Sequence, residues 1–251
     1  MRGQSLRCVS LMKSFDGVRA LSNVSLDLSA SGSVAIIGPN GAGKTTLLNI
    51  LTGIVKPEAG EAWFGDDSLV GRAPHYIARL GIARTFQELR LIENLSAMEN
   101  IMLASSSQSR EGLFHALFRF RLSKEEETAK AGAIDQLRCV GLADEANELA
   151  GELSYGQQKL LALACCLATG ARVLLLDEPI SGVDPQMAEK ILDLLRGLRD
   201  RGTGIVFIEH DIDSVRRFAD FVIVMDQGRV VAQGKPTEVL NRREIMEAYV
   251  G

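Results

Sequence analysis

Ser33-Val34-Ala35-Ile36-Ile37-Gly38-Pro39-Asn40-Gly41-Ala42-Gly43-Lys44-Thr45, continued by Thr46-Leu47-Leu48-Asn49-Ile50-Leu51-Thr52, joins a short apolar run to a glycine-rich turn and then to apolar residues at helical spacing. The pattern reads as a strand over Ser33 to Ile37, a loop, and a helix over Thr45 to Thr52. Gly38-x-x-x-x-Gly43-Lys44-Thr45 matches the phosphate-binding loop, and a strand before it with a helix after it is the context that supports the match. Glycines let backbone N–H groups turn inward on phosphate oxygens, and the helix N-terminus adds a fixed partial positive charge. Lys44 is then placed to reach the β- and γ-phosphates of ATP, and Thr45 to ligate Mg²⁺. An ordinary glycine turn is the plain alternative for this stretch taken alone.

A second stretch weakens that alternative. Val173-Leu174-Leu175-Leu176-Asp177-Glu178 is an uninterrupted apolar strand ending in two carboxylates. Continuous apolar strands belong to a parallel sheet covered on both faces, and ligands bind at the carboxyl ends of such strands. Asp177 is expected near the metal, and Glu178 is placed to orient and deprotonate an attacking water. Around these stretches the α/β pattern continues with a helix from Tyr155 to Ala168, a helix from Gln186 to Arg199 and a strand from Gly204 to Ile208. Strands follow at Phe221 to Met225 and Val230 to Gln233, with a last helix near Arg243 to Tyr249.

Leu6 to Leu28 alternates apolar and polar residues about Asp16-Gly17, which predicts antiparallel strands. Lys56 to Gly60 reads as a turn before a sheet edge or hairpin at Trp63-Phe64. From Glu88 to Glu152 helix formers and charges dominate, with Ser123 and Glu126 spaced as a capping box ahead of a periodic stretch from Ala129 to Val140. Within this segment Ser105 to Gly112 reads as a loop, and Leu113 to Phe120 as core packing or an exposed amphipathic contact surface.

Composition narrows the function. The 251 residues are 46% hydrophobic, enough for a sizeable core, and the formal net charge of −4 gives no overall basic field for nucleic acid. Apolar stretches are too short to span a bilayer, and the N-terminus has no signal-peptide block, so a cytoplasmic chain is expected. Cys8, Cys139, Cys165 and Cys166 lack metal-ligand spacing and read as reduced packing residues.

Further motifs, in order, resemble the ATP-binding-cassette (ABC) family across nearly the whole chain. Leu153-Ser154-Tyr155-Gly156-Gln157-Gln158 is similar to its signature motif, Ser181-Gly182-Val183-Asp184-Pro185 to its D-loop, and His210 to its switch histidine. Phe86-Gln87 resembles its Q-loop, and Phe15 stands where it places an aromatic on adenine. The resemblance implies an α/β fold: a P-loop ATPase (RecA-like) core with a mostly parallel sheet, a small antiparallel β-subdomain at the N-terminus and an α-helical insert. Its parts would be 1–87, 88–152 and 153–251. It also implies that Gly38, Pro39, Asn40, Gly41, Ala42, Gly43, Lys44, Thr45 and Thr46 bind ATP, that Thr45, Gln87 and Asp177 serve Mg²⁺, and that Glu178, His210, Gln87 and Lys44 act in catalysis. Ser154, Gly156 and Gln157 would bind the nucleotide held by a second ABC subunit, in a homo- or heterodimer.

Two departures stand out. Tyr155 replaces a signature glycine, and Cys165-Cys166 replaces a usual arginine. Gly81 to Ser96, Glu99-Asn100-Ile101, the long segment before Lys124 and the ending Ala248-Tyr249-Val250-Gly251 resemble ATPase subunits of Liv-type branched-chain amino-acid importers. That branch implies transmembrane permease subunits, an extracytoplasmic solute-binding protein as an indirect partner, and a peripheral place on the cytoplasmic face of the inner membrane. Lipopolysaccharide-export and urea or amide transport ATPases, and a cytosolic non-transport ABC ATPase, are the alternatives.

Overall fold

The computed structural model describes residues 5–28, 32–85, 91–106 and 123–242. The chain opens with β1 (Leu6–Phe15) and β2 (Val18–Leu28), paired antiparallel about a turn whose residues Asp16 and Gly17 both have positive φ, 48° and 83°. Such a turn has the twist that two antiparallel strands need. β3 (Ser33–Ile37) runs into the glycine loop and α1 (Lys44–Leu51), followed by the hairpin of β4 (Ala59–Phe64) and β5 (Asp67–Ser68). Ala59 and Gly60, expected in a turn, already belong to β4, because β1 offers the edge on which they pair.

Next come α2 (Pro74–Arg79), β6 (Ile82–Arg84), α3 (Ala97–Ser106) and α4 (Ser123–Val140), the last starting where the Ser123 signal predicts. A 3₁₀ turn at Ala150–Glu152 leads into α5 (Tyr155–Ala168), β7 (Val173–Asp177), α6 (Pro185–Asp200), β8 (Gly204–Ile208) and α7 (Ile212–Phe218). β9 (Phe221–Asp226), β10 (Arg229–Gly234) and α8 (Pro236–Val239) complete the described chain. The segments expected at Leu113 to Phe120 and Arg243 to Tyr249 lie outside the described residues, as do Phe86 and Gln87.

Two sheets organise these elements. The first runs β2-β1-β4-β5, and the second runs β10-β9-β3-β8-β7-β6, parallel except for the β9–β10 pair. Side chains alternate across a strand, and here the alternation divides the interior. Ala35, Ile37, Leu174, Leu176, Ile205 and Phe207 join an apolar cluster that includes Leu137 and Leu160 of the helices, whereas Val34, Ile36, Val173, Leu175, Val206 and Ile208 join one with Leu11, Leu21 and Phe64 of the first sheet. Both faces of the second sheet's central strands β3, β8 and β7 are therefore covered, which is why these strands read as apolar runs. β3, β8 and β7 are neighbours, so the glycine loop, His210 and Asp177-Glu178 all emerge at one end of the sheet. Among the described residues no helix is long and apolar enough to cross a membrane.

Candidate active site

The loop between β3 and α1 needs glycine at two positions for spatial reasons. Gly38 has φ 150°, and a Cβ there would lie 2.0 Å from the Met225 carbonyl oxygen; at Gly43, φ 95°, it would lie 2.3 Å from that of Ala20. Gly43 is also the N-cap of α1, and neither a capping side chain nor an acidic residue occupies the first turn. That electropositive end is suited to an anion. The buried Lys44 ammonium donates to the Gly38 and Pro39 carbonyl oxygens at 2.6 and 3.0 Å. Burial draws it below the usual amine range, against the opposing pull of the Glu178 and Asp177 carboxylates.

Above the loop lies a cavity of about 500 Å³ lined by Val18, Arg19, Ala20, Asn40 through Thr46, Glu178, Ile208 and His210. Phe15 stands at its approach, half-exposed, paired in register with the cavity-lining Val18 and with the Lys13 ammonium 5.0 Å from its ring centre. Glu178 has φ 51°, a left-handed conformation that a residue with a side chain adopts only where its surroundings impose it. Its N–H donates to the Ile208 carbonyl at 3.0 Å, and its Oε1 lies 3.2 Å from His210 Nε2.

Asp177 sits behind Glu178 in a buried ion pair, its Oδ2 3.0 Å from Arg84 Nη2, with both side chains under 5% exposed (4% and 3%). Arg84 Nη1 donates to Asn49 Oδ1 of α1 at 2.5 Å, and the Asp177 N–H reaches Thr85 Oγ1 at 3.4 Å. Residues just before the Q-loop thus brace the metal-site candidate against the helix that follows the phosphate loop. Glu209 is buried beside His210 and accepts from the N–H groups of Ile180 (3.0 Å) and His210 (3.2 Å); burial raises its carboxyl above the usual range. Arg84 and Glu209 escaped the motif reading. Each supports a motif residue rather than being one, and the only available signal is a charge embedded in an apolar run.

Ser154, Gly156 and Gln157 do not line this cavity. Ser154 caps α5, accepting from the Gln157 N–H at 3.3 Å, while Gln157 Oε1 accepts from the Ser154 N–H at 2.9 Å, and Gln157 Nε2 also donates to Glu145. Gly156 is pressed against α6, where a Cβ would meet Met187 Cγ at 2.6 Å. The Tyr155 ring is half-exposed and lies over Gly182. One chain thus presents two separate surfaces, a phosphate-loop cavity and a capped helix end.

The family pattern described as ABC transporter matches residues 21–181, spanning the phosphate loop and the acid-tipped strand. The chain belongs to this family. Among its relatives, the high-affinity branched-chain amino acid transport ATP-binding protein LivG of Salmonella typhimurium is 39% identical over 245 residues, covering 96% of this chain and 95% of the relative. A crystal structure of the ADP conformation of an ATP-binding cassette of an ABC transporter superposes with TM-score 0.86 at 32% identity, covering 99% of both chains. A dimeric bacterial ABC transporter cassette gives TM-score 0.79 at 30% identity, covering 92% of this chain and 98% of that one. The expected fold, a P-loop ATPase core with an antiparallel N-terminal sheet, is thereby established, and the chain is an ABC ATPase.

The site of this ABC ATPase suits a magnesium nucleotide on its own geometry. Two cradle positions admit no side chain, and Thr45, on the first turn of α1, lines the cavity. Among the described residues no three His, Cys, Asp or Glu side chains gather as a metal cage. A cage is not what Mg²⁺ requires, since it keeps several waters and takes one or two protein oxygens with phosphates. Cys165 and Cys166, at the other departure, line a cavity of about 240 Å³ with Arg84, Leu91, Ile92 and Asn100. Burial pushes the Cys165 and Cys166 thiols up to about 12 and that of Cys8 to about 11, so all three are packing groups. Cys139 corrects the expectation for the fourth, since it is exposed on α4 rather than buried in the core.

Proposed function

We propose that this chain is the Mg²⁺-dependent ATP-hydrolysing subunit that drives uptake of branched-chain amino acids, working as one of two cassettes beneath a membrane permease. The hydrolytic assignment is carried by the Glu178–His210 pair, 3.2 Å apart on the wall of the phosphate-loop cavity. The transported class is supported by the 39% identity, over 96% of this chain, to a relative named for branched-chain amino acid transport.

The loop from Gly38 to Thr46 binds the phosphates through its backbone N–H groups, and Lys44 exchanges its carbonyl partners for phosphate oxygens. Thr45 and Asp177 would hold Mg²⁺, and Gln87 would serve it as well. Mg²⁺, when bound, neutralises charge on the β- and γ-phosphate oxygens. Water adds at the γ-phosphorus as the bond to the bridging oxygen breaks, giving ADP and inorganic phosphate. Glu178 accepts the proton that the water loses, and His210 holds the carboxylate in place and contacts the γ-phosphate. Phe15 stacks on adenine. Ser154, Gly156 and Gln157 act on the nucleotide of the second cassette, and the helical segment passes closure to permease subunits fed by an extracytoplasmic solute-binding protein. The chain then sits peripherally on the cytoplasmic face of the membrane.

Replacing Glu178 by Gln should lower ATP hydrolysis by about 10²- to 10⁴-fold while ATP binding is kept; an unchanged rate overturns the assignment of the base. Proteoliposomes containing this chain and the permease it copurifies with should take up labelled leucine, isoleucine or valine when ATP is supplied. Uptake of none of them, with hydrolysis intact, sinks the substrate class alone.

A further inference from the structure

Lys159 has no part in the mechanism above, yet it joins its two surfaces. It lies one turn into α5, on the helix whose start carries Ser154 and Gly156. Its ammonium, half-buried, donates at 2.7 Å to the backbone carbonyl of Glu178, an oxygen that the Ser181 N–H also reaches at 3.3 Å. This carbonyl belongs to the residue held at φ 51°. A left-handed backbone at a residue with a side chain persists only where neighbours over-determine it, and Lys159 is the side-chain contact that fixes the far side of that peptide.

Charge and an aromatic face surround the ammonium. Burial draws it below the usual amine range, against the pull of the Glu209 and Glu178 carboxylates, and the Tyr155 ring centre lies 5.2 Å away. Tyr155 in turn covers Gly182, which follows Glu178 in the chain by four positions and has φ 74°. A Cβ at Gly182 would stand 3.1 Å from the ring. The tyrosine that departs from the usual signature wording therefore occupies the gap between the signature helix and the D-loop. A helix is rigid over one turn, so a shift at Ser154 and Gly156 moves Lys159 with it.

We propose that Lys159, with Tyr155 beside it, is a positioning residue that ties the signature helix to the backbone of the catalytic glutamate in the same chain. A nucleotide seated on Ser154 and Gly156 by the second cassette is then felt at Glu178, and the two sites hydrolyse cooperatively. This rests on the reading of Glu178 as base and of Ser154 and Gly156 as the face toward the partner's nucleotide.

The test measures hydrolysis against ATP concentration for the full-length chain, with binding of a fluorescent ATP analogue measured separately. Lys159→Met should lower kcat by about tenfold or more, a loss within the range of general-base positioning. KM and analogue affinity should stay within about twofold of the parent, and the Hill coefficient should fall to about 1. Lys159→Arg, which keeps a charged donor, should recover most of the rate. Because Lys159→Met removes a cation from beside Glu209 and Glu178 and can unfold the chain, Tyr155→Leu at the half-exposed position gives a second reading. It should lower the Hill coefficient with analogue binding unchanged. The inference is overturned if Tyr155→Leu leaves the Hill coefficient unchanged, if folded Lys159→Met keeps the parent's kcat, or if Lys159→Arg is as impaired as Lys159→Met with affinity lost in parallel. A parent that hydrolyses ATP without cooperativity also overturns it, whereas a parent that does not hydrolyse ATP at all overturns the proposed function instead.

Discussion

Arg84 and Asp177 bury opposite charges against each other, and what each would cost without the other sets the consequence of losing one. Removing one partner of a buried pair leaves an uncompensated charge and destabilises by about 3–5 kcal/mol. Arg84→Met should therefore lower stability by about that amount in urea denaturation of the nucleotide-free chain, whereas Arg138→Met, whose pair with Asp135 is two-thirds exposed, should change it by less than about 1 kcal/mol. At this scale the sequence was legible where chemistry forces a residue type at a fixed spacing, as in Gly38, Gly43, Lys44 and Thr45. It was not legible for Arg84, because its partner Asp177 stands 93 positions away and only the pairing of β6 with β7 brings them together. Lys159 was hidden for a related reason, since a lysine on an apolar helix reads as an exposed residue until its acceptor, a backbone oxygen 19 positions on, is known.

Ser154 shows how one side chain serves an element before it serves a ligand. Its hydroxyl and the Gln157 amide satisfy two orphan N–H groups at the start of α5. Ser154→Ala should thus cost about 0.5–2 kcal/mol in denaturation of the nucleotide-free chain, on top of any loss in hydrolysis; an undiminished midpoint would mean that the cap contributes nothing. Strands such as β3, β7 and β8 were legible because both their faces are buried, which writes them as unbroken apolar runs bounded by turns. β6, α2 and α7 carry no such signal. They have three, six and seven residues, too few for a helical or alternating pattern to separate from a loop, and tertiary contacts decide them. Ser96 forms a similar hydroxyl cap, paired with Glu99 ahead of α3.

At the scale of the whole molecule, the phosphate-loop cavity and the capped end of α5 are separate surfaces, and the proposed function closes one on the other with a second chain. Glu178→Gln should therefore sediment as a dimer in saturating MgATP and as a monomer without it. Lys44→Ala, lacking the phosphate contact, should remain monomeric in both, and dimers formed equally without nucleotide would contradict the arrangement. A largely parallel sheet covered on both faces, beside antiparallel N-terminal strands, followed from the apolar strands and the N-terminal alternation; that α1 shares its side of the sheet with the first sheet did not. Spacing alone does not bring Ser154, Gly156 and Gln157 to the phosphate loop, and among the described residues they stand outside its cavity. The partition made by β7 carries a further consequence, for inheritance. Val173 and Leu175 face one cluster and Leu174 and Leu176 the other, so the in-frame loss of a single codon within this strand sets the residues on one side of the gap onto the wrong faces. A substitution there trims one side chain, whereas such a deletion early in the strand misdirects several at once, the acidic tip among them.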